Sequence, residues 1–457
     1  MSNPIPSSIL IVGAGVFGLG TAYALAQREE YKNTKITVLD RSGFPAPDSS
    51  SIDSSRIIRA DYADYYYSAL CTESLKEWRG EWGQDGRYHE TGLAILMDGK
   101  NLDRGGKTAM QQEMQRNLQK QGLKAGKKED GGQITVLENE DDVKAIAPSI
   151  PGAAGQSGYV NWTSGWADAE AGMRYLLKKV EATGRVELRT AEVKSLIFDH
   201  ANGSVPGVEL VSGERLMADL TILAAGAWSP KFIDLRGRAS ASGQILAYID
   251  ITAEEEEKLK NNPVLLNYSN GMFIIPPRHK QLKVARHGYG YANFQTIPHP
   301  EHPESGNTIK VSLPKTKYDD PYMEIPKEGQ DVCRAFLKEC LPDFANRPWT
   351  HTRICWYTDT PTGDWIIDYH PKYKGLFLAT GGSGHGYKFV PKIGERIVDV
   401  IKGQPRDDLG TALQKKWAWP EQKYHFDHVW TNDWRGGSKG MILAEEHSRG
   451  PKPRAKL

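Results

Sequence analysis

The stretch SILIVGAGVFG, at residues 8–18, decides the fold of the first part of the chain. An apolar run that predicts a β-strand leads directly into glycines spaced as GxGxxG, and an alanine-rich segment that predicts a helix follows. In this context the first glycine allows a tight turn, the second lets the backbone approach a pyrophosphate, and the third lets helix and strand pack closely. The first amides of the helix then face the phosphates. The sequence therefore predicts a dinucleotide site formed by Gly13, Ala14, Gly15, Val16, Phe17 and Gly18.

The next predicted strand, Lys35–Asp40, completes a βαβ unit and ends in an acid. Asp40 lies 27 residues after Gly13, where its carboxylate can accept hydrogen bonds from a ribose hydroxyl. Arg41 beside it can contact the adenosine end of a cofactor. Because FAD and NAD share this fingerprint, the βαβ unit alone leaves both cofactors open.

The composition excludes several classes of protein. The 457 residues include 58 basic and 57 acidic side chains, and no long basic run alternates with aromatic residues, so we do not expect nucleic acid as a partner. The four cysteines are too few for a disulfide framework, and no Cys/His cluster has metal-ligand spacing, so we expect no structural metal. An uninterrupted apolar run of about 18 residues does not occur, which argues against a membrane span.

Two further blocks of sequence repeat the order of strand, glycine and helix that is typical of an α/β fold. Their predicted elements are a helix at 166–180, strands at 186–189, 193–199, 220–224 and 376–382, and a helix through 393–401. The segments 91–154 and 236–349 differ, because they are richer in charge and proline and alternate like strands, as at 272–275 and 282–285. We therefore predict a discontinuous Rossmann-like domain into which an α+β domain is inserted.

Two other segments have the composition of surface structure. Residues 100–133 contain few large apolar residues, and we expect an exposed helix and a loop without chemistry. Residues 413–457 are predicted to wrap on the surface and to end in a free tail. The last three residues of that tail are Ala455, Lys456 and Leu457, a small–basic–leucine sequence of the kind that directs import into peroxisomes. We therefore expect a peroxisomal protein that binds the import receptor, with the cytoplasm as the alternative.

Five collinear motifs carry a family resemblance: SRIIR at 55–59, LKVARH at 282–287, HTRICWYT at 351–358, WIIDYHP at 365–371 and GGSGHGYKF at 381–389. They resemble the monomeric sarcosine oxidase family, which includes pipecolate and saccharopine oxidases and the fungal fructosyl amino acid oxidases, or amadoriases. The resemblance covers most of the chain and implies FAD as the cofactor. Together with the α/β blocks it predicts the following division: a glutathione-reductase-type FAD-binding domain at 1–90, 155–235 and 350–412, a substrate domain at 91–154 and 236–349, and an extension at 413–457.

The resemblance also implies how the flavin is held. In the family a cysteine at the place of Cys355 forms a thioether to the flavin 8α-methyl group, and this covalent link prevents loss of the flavin and raises its reduction potential. The segment that contains Gly384, His385 and Gly386 is expected to run past the pyrimidine ring. The other cofactor contacts that we expect are Ser55, Arg56, Val193 and Lys388.

The same resemblance assigns a substrate site. Arg59 and Lys388 match positions that clamp the substrate carboxylate, the first as a bidentate donor and the second as a point charge. Lys283 lies on a strand-like segment with apolar neighbours. It matches a lysine on the flavin face opposite the substrate, where a positive charge promotes the reaction with O2. His287 and Tyr357 match residues that line the substrate pocket.

Some positions depart from the family pattern or leave it open. Ile52 stands where bacterial sarcosine oxidases have a histidine, so a polar role of that residue in flavin attachment is absent or shifted. Arg56 stands close to the place where amadoriases have a lysine. This difference weakens the prediction of a sugar-amine substrate. The tyrosines at 65–67 fit aromatic walls for a side chain larger than that of sarcosine, or a buried packing role.

These observations predict an FAD-dependent oxidase that acts on the C–N bond of a secondary amine amino acid (N-methyl, cyclic or N-substituted) and yields an imine and H2O2. One alternative is a fructosyl amino acid oxidase that deglycates Amadori products, favoured by the chain length and the run at 165–167. Another is a secondary-metabolite oxidase of N-methyl aromatic amino acids whose iminium closes a ring. The expected partners are a small-molecule amine and O2, and we expect a monomer. A nicotinamide dehydrogenase would give no reason for Cys355 within its motif.

Overall fold

The computed structural model describes residues 3–99, 107–421 and 428–449, and in it the apolar run at the start of the chain forms a strand inside a six-stranded sheet. This strand pairs in parallel with a neighbour on each side. Because both of its faces are covered, it needs the continuous apolar run that residues 9–12 supply. The order across the sheet is Ile366–Tyr369, Leu376–Thr380, Leu220–Leu223, Ser8–Val12, Lys35–Asp40 and Val186–Thr190, of which only the first strand is antiparallel to its neighbour.

Helices cover one face of this sheet and a small antiparallel sheet covers the other. On the first face, the helix Val16–Gln27 packs against Val390–Lys402 and Ala169–Ala182. Leu10 and Val12 point to the opposite face, because side chains alternate along a strand. There they join the apolar core of a sheet formed by Val193–Asp199, Ser204–Leu210 and Arg215–Met217. The prediction of an α/β fold with a Rossmann-like domain is confirmed.

One predicted helix boundary in this part is wrong. The helix expected from residue 166 begins at Ala169 and ends at Ala182, whereas Trp166 lies in the strand Gly165–Ala167. Asp168 sets the start, since its carboxylate accepts a hydrogen bond from the Ala171 amide at 3.0 Å, as an N-cap residue does.

A second sheet has eight strands of mixed direction. Its strand Ser157–Asn161 falls in a range that the sequence assigned to the FAD-binding domain, and so does His351–Asp359; both pair in this second sheet instead. The division into domains otherwise stays a prediction. The order across the sheet is His351–Asp359, Ser240–Asp250, Gln281–Arg286, Met272–Arg278, Val264–Asn267, Leu93–Met97, Ser157–Asn161 and Ile134–Leu137.

The remaining elements connect or cover the two sheets. The other helices are Tyr65–Arg79, Lys107–Lys120, Glu140–Ile146, Ala253–Leu259, Lys327–Cys340, Asp408–Trp417 and Leu443–Ser448. The other strands are Arg56–Ile58, Tyr88–His89, Gly165–Ala167, Phe294–Pro298 and Thr308–Ser312. None of the helices that the structure describes combines the length and the apolar character needed to cross a bilayer.

The prediction that residues 413–457 wrap on the surface is wrong for part of the described segment, which also has exposed residues, such as those at 437–440. Trp417, Trp434 and Arg435 are buried, so this segment contributes to the interior. The Trp434 indole donates to the Tyr268 carbonyl at 2.7 Å, which ties the segment to the second sheet. Residues 455–457, on which the peroxisomal prediction depends, lie outside the described residues.

Candidate active site

A first cavity of about 230 Å³ follows the glycine-rich turn. Gly13 adopts φ 108°, and a Cβ there would lie 2.4 Å from the Ala224 carbonyl oxygen, so the turn requires glycine. A Cβ at Gly18 would lie 1.9 Å from the Gly13 carbonyl oxygen, which agrees with its expected packing role. The predicted cofactor residues that line this cavity are Gly13, Ala14, Gly15, Val16, Phe17, Asp40, Arg41, Arg56, Val193, Gly384 and Gly386.

Asp40 and Arg41 occupy one end of the first cavity. The Ala14 amide donates to the Asp40 carboxylate at 3.0 Å, which leaves acceptor capacity for a ribose hydroxyl, since a carboxylate offers about four lone-pair positions. The Arg41 guanidinium lies 4.7 Å from the ring centres of both Trp228 and Tyr318 and pairs with Asp48. These contacts hold Arg41 at the place expected for an adenosine group.

The shape and the polar groups of this cavity fit a dinucleotide. A Cβ added at Gly15 would have Ser51 Oγ as its nearest neighbour, at 3.9 Å, so the backbone there stands open to the cavity. Gly15 is also the N-cap of the helix Val16–Gln27, whose first amides have no partner within the helix and can bind phosphate oxygens. The hydroxyl groups of the serines at 49–51 line the same side.

A second cavity, of about 300 Å³, joins the first. Both are lined by Arg56, Tyr357, Gly384 and Tyr387, which therefore mark the junction. A Cβ at Gly384 would lie 2.3 Å from the Tyr357 ring, so glycine is needed where the two segments meet. The predicted site residues that line the second cavity are Ser55, Arg56, Arg59, Lys283, His287, Cys355, Tyr357, Gly384, His385 and Lys388.

Two cations lie together on one wall of the second cavity. Tyr62 joins them, because its ring lies 4.8 Å from the Arg59 guanidinium and its hydroxyl accepts a hydrogen bond from Lys388 Nζ at 2.9 Å. Burial and the nearby Arg59 guanidinium lower the pKa of Lys388 to about 7. The ammonium of Lys388 is therefore poised to gain a proton when an anion binds beside it.

Cys355 opens onto the same cavity. It lies on the strand His351–Asp359 two residues before Tyr357, and both side chains face the cavity because they alternate with Trp356. Its thiol is buried, and the Arg56 guanidinium lies 3.4 Å from Sγ. The cysteine thus lies in the wall of the second cavity, beside Arg56, which lines both cavities.

Lys283 forms a buried ion pair. Its Nζ donates to Asp53 Oδ2 at 2.7 Å and to the Ser55 carbonyl at 2.8 Å. Burial lowers the pKa of Lys283 to about 8, although the Asp53 carboxylate opposes the change. Nothing in the sequence pointed to Asp53, which the structure adds to the site.

His287 and Tyr357, which the resemblance assigned to the substrate pocket, both line the second cavity and lie near each other. His287 Nδ1 is 3.3 Å from the Tyr357 hydroxyl. Burial, together with the Arg435 and Arg59 charges, lowers the pKa of His287 well below its usual value, so the imidazole is neutral at physiological pH.

The structure adds residues to the second cavity that the sequence did not single out, and it places two of the expected tyrosines outside the cavity. Tyr65 and Tyr66 are exposed, so of the three tyrosines at 65–67 only Tyr67 lines the cavity. The helix Lys107–Lys120, expected to carry no chemistry, places two methionines against it. The additions to the second cavity include Tyr62, Met110, Met114, Tyr268, Phe273, Asp433 and Trp434.

A possible metal-ligand group lies outside both cavities. His200, His302 and Glu304 place one ligand atom each within 4.8 Å of one another, and two of the three side chains are exposed. None of the three lines a cavity described above. The prediction that the protein has no structural metal stays a prediction.

A glycine-rich turn at the first cavity, beside a second cavity that two cations line, fits an oxidoreductase that uses a dinucleotide cofactor. The sequence profile of the family described as FAD dependent oxidoreductase matches residues 8–400. The chain belongs to this family, and the prediction of FAD is confirmed.

Curated relatives span nearly the whole chain. The amino acid oxidase imqH of Aspergillus flavus is 32% identical over 92% of this chain and 99% of its own length. The amino acid oxidase fsqB of Aspergillus fumigatus is 33% identical over 90% of this chain and 95% of its own length. The L-saccharopine oxidase of Schizosaccharomyces pombe is 30% identical over 93% and 95%.

Solved structures of the same architecture include a fructosamine oxidase and a fructosyl peptide oxidase from fungi. Fructosamine oxidase (amadoriase II) of Aspergillus fumigatus superimposes with a TM-score of 0.78 at 27% identity, over 96% of this chain and 95% of that protein. A modified fructosyl peptide oxidase of Aspergillus nidulans gives a TM-score of 0.82 at 26% identity, over 96% and 98%. The resemblance read from the motifs is therefore confirmed.

Proposed function

We propose that this protein is an oxidase that uses FAD and O2 to convert the C–N bond of a secondary amine amino acid to an imine, with release of H2O2. The observation that carries the proposal is the pair of cations, the half-buried Arg59 and the buried Lys388, on the wall of a cavity beside the cofactor cavity. Two adjacent cations fit a carboxylate, so an amino acid held there presents its amine towards the junction. The names of the relatives, amino acid and saccharopine oxidases, support this class of substrate.

When bound, FAD supplies the acceptor for a hydride equivalent, which is the two electrons and one proton that leave the carbon next to nitrogen. The residues of the chain orient the substrate and control its charge. Arg59 and Lys388 bind the carboxylate, and their positive charges lower the pKa of a nearby substrate ammonium, which favours the neutral amine that reacts. The neutral His287 adds no further charge. No strong base is required of the protein.

Lys283 is proposed to act in the second half of the reaction. Its ammonium lies in the wall of the second cavity and pairs with Asp53, the carboxylate that also pairs with Arg56. A fixed positive charge near the reacting O2 stabilises the negative charge that oxygen gains.

An N-methyl aromatic amino acid is the substrate that the walls of the second cavity favour. Its aromatic lining includes Tyr62, Tyr67, Tyr268, Phe273 and Trp434. Asp433 also faces this space; burial alone would raise the pKa of its carboxyl, but the Arg435 charge holds the pKa below its usual value, so the carboxylate is an ionised acceptor for a phenolic hydroxyl. Two curated relatives are named amino acid oxidases, which supports an amino acid as the substrate. A fructosyl amino acid stays as the second candidate, supported by the deglycating enzymes of the same fold.

The test is an anaerobic titration of the purified enzyme with sarcosine, pipecolate, saccharopine, fructosyl-glycine, N-methyl-phenylalanine and N-methyl-tyrosine. We expect the flavin absorbance to bleach, fastest with N-methyl-tyrosine, and peroxide to form when air is admitted. Faster bleaching by fructosyl-glycine would favour the second candidate. Failure of every secondary amine to bleach the flavin would contradict the proposed function.

The carboxylate clamp makes ligand binding depend on pH in a way that identifies Lys388. Lys388 is charged below about pH 7 and loses its proton above it, so the Kd of an unreactive carboxylate such as benzoate should be constant below pH 7 and rise above it. Lys388→Met should weaken binding at acidic pH by about 1.5–3 kcal/mol, the range for a charge-assisted contact, and remove this rise.

Arg59→Met is the matched control for that experiment. Arginine stays charged throughout, so its loss weakens binding at all pH values. The rise in Kd should persist and move to higher pH, because the Arg59 guanidinium helps to lower the pKa of Lys388. Flavin absorbance changes on benzoate binding measure each Kd. The same pH dependence in Lys388→Met as in the wild type would show that Lys388 is not the group whose charge controls carboxylate binding.

We also propose that the enzyme is peroxisomal, is a monomer and holds its flavin covalently. The sequence Ala455-Lys456-Leu457 supports import into an organelle that disposes of peroxide. The place of Cys355 in the wall of the second cavity, beside Arg56, which lines both cavities, supports the covalent link.

A further inference from the structure

Two cations of the active site share one buried carboxylate. The Asp53 side chain is fully buried, and its Oδ2 is 2.7 Å from Lys283 Nζ. The same oxygen pairs with the Arg56 guanidinium, while Oδ1 accepts a hydrogen bond from the Tyr248 hydroxyl at 2.6 Å. The Glu170 amide donates to the Asp53 carbonyl at 3.1 Å, so the backbone is held as well.

Charged groups from several elements face this carboxylate. Arg56 and Lys283 contact it, and Arg353, from the strand His351–Asp359, adds a third positive charge nearby. His351 lies on the same strand, with its pKa lowered by burial. Burial alone would raise the pKa of Asp53, but the Arg56 and Lys283 charges hold it far below its usual range, so Asp53 is ionised at every pH at which the enzyme is folded.

The geometry gives this carboxylate two directing roles. Lys283 uses two of its three N–H donors on Asp53 and on the Ser55 carbonyl, and its remaining donor is free to face the cavity that the side chain lines. Arg56 is held by Asp53 and by the Ser50 carbonyl, and in that position its second terminal nitrogen reaches Cys355 Sγ.

We infer that Asp53 is a positioning residue that keeps Lys283 charged and directed at the reacting O2, and that holds Arg56 beside Cys355. The inference rests on the proposed function, because it relies on the role given there to Lys283. A purely structural ion pair is the rival explanation, since buried pairs can often be replaced by uncharged groups of similar shape. The test must therefore detect the charge on Lys283 rather than the stability of the fold.

The first experiment measures how fast O2 reoxidises the reduced holoenzyme over a range of pH. The flavin is reduced by light or dithionite, so no amine substrate is needed. In the wild type the rate constant should fall as pH rises through the pKa of Lys283, since the ammonium is then lost. In Asp53→Asn nothing offsets burial and the Arg56 charge, so the ammonium is lost at lower pH and the fall should move by about one pH unit or more.

Tyr248→Phe is the matched control. It removes a hydrogen bond to the same carboxylate and leaves the charges unchanged, so the pH profile should match that of the wild type. A second readout is the fraction of flavin that stays on the polypeptide after acid precipitation. This fraction should fall in Asp53→Asn, because Arg56 loses its anchor, and should be unchanged in Tyr248→Phe.

Asp53→Asn leaves two buried cations without their anion and can fail to fold. In that case the double variant Asp53→Asn/Lys283→Met, which removes one of the two cations, should recover folded protein. In the folded double variant the fraction of flavin kept on the polypeptide should be lower than in Lys283→Met, because Arg56 lacks its anchor; an equal fraction would overturn the inference.

The outcomes separate the inference from the proposed function. If Lys283→Met reoxidises at the wild-type rate, the role proposed for Lys283 is wrong and the inference falls with it. If Lys283→Met is slow but Asp53→Asn keeps the wild-type pH profile, the inference on Asp53 alone is overturned. Bleaching by secondary amines tests the proposed function independently of both.

Discussion

Replacement of Lys283 by methionine will slow the reaction of the reduced enzyme with O2 by about 10²-fold or more, while reduction of the enzyme by its amine changes modestly. Methionine has a similar length and no charge, so it removes the ammonium without opening a large cavity. The ammonium is buried, where water screens its charge little and its effect on developing negative charge is large. The clamp cations Arg59 and Lys388 remain in place to bind the substrate.

Stopped-flow absorbance measures the two halves of the reaction separately. Lys388→Met is the matched control, since it removes another buried lysine of the same cavity, but one placed on the carboxylate clamp. We expect it to weaken substrate binding and to leave reoxidation close to the wild-type rate. Reoxidation of Lys283→Met within about threefold of the wild type, a difference of under 1 kcal/mol, would show that Lys283 is not the residue that activates oxygen.

Local patterns predicted the elements that hold the cofactor, because each depends on neighbours in sequence. The strand Ser8–Val12 and the turn at Gly13 follow from an apolar run and a glycine spacing that both lie within a few residues. The wrong helix start at 166 has a local cause too, since apolar spacing outweighed the cap at Asp168.

The contacts that complete the site could not be predicted in this way. Asp53 and Lys283 are 230 residues apart in sequence, and Tyr62 and Lys388 are 326 apart, so only the folded chain brings them together. The family motifs pointed to the lysines and gave no indication of their partners.

The buried part of the C-terminal segment illustrates a different limit. Its Trp, Arg and Gly content lacks the periodicity of a helix or strand, and a polar composition predicts surface. Arg435 is nevertheless buried, because Asp359 and the Ser383 carbonyl accept its hydrogen bonds at 3.1 and 3.0 Å. A charge can be buried when its partners are supplied from other segments, which composition does not reveal.

Replacement of Cys355 by alanine will release the flavin from the denatured polypeptide, whereas the wild type will keep it through acid precipitation. The thiol is buried in the wall of the second cavity, and the Arg56 guanidinium 3.4 Å from Sγ is suited to stabilise negative charge on sulfur when the proton leaves. Formation of the thioether removes one hydrogen from the thiol and one from the 8α-methyl group, and O2 finally accepts the two electrons.

Cys333→Ala is the control for this experiment. Cys333 is also a buried free thiol, but it lies in the apolar core of the second sheet and lines neither cavity described above. Its variant should keep the flavin bound to the polypeptide, because only the position of Cys355, and not the presence of a thiol, permits the bond. Absorbance of the redissolved precipitate and the mass of the intact chain measure the attachment. A colourless wild-type precipitate would show that the flavin is held without a covalent bond, and yellow precipitate from Cys355→Ala would place the bond on another residue.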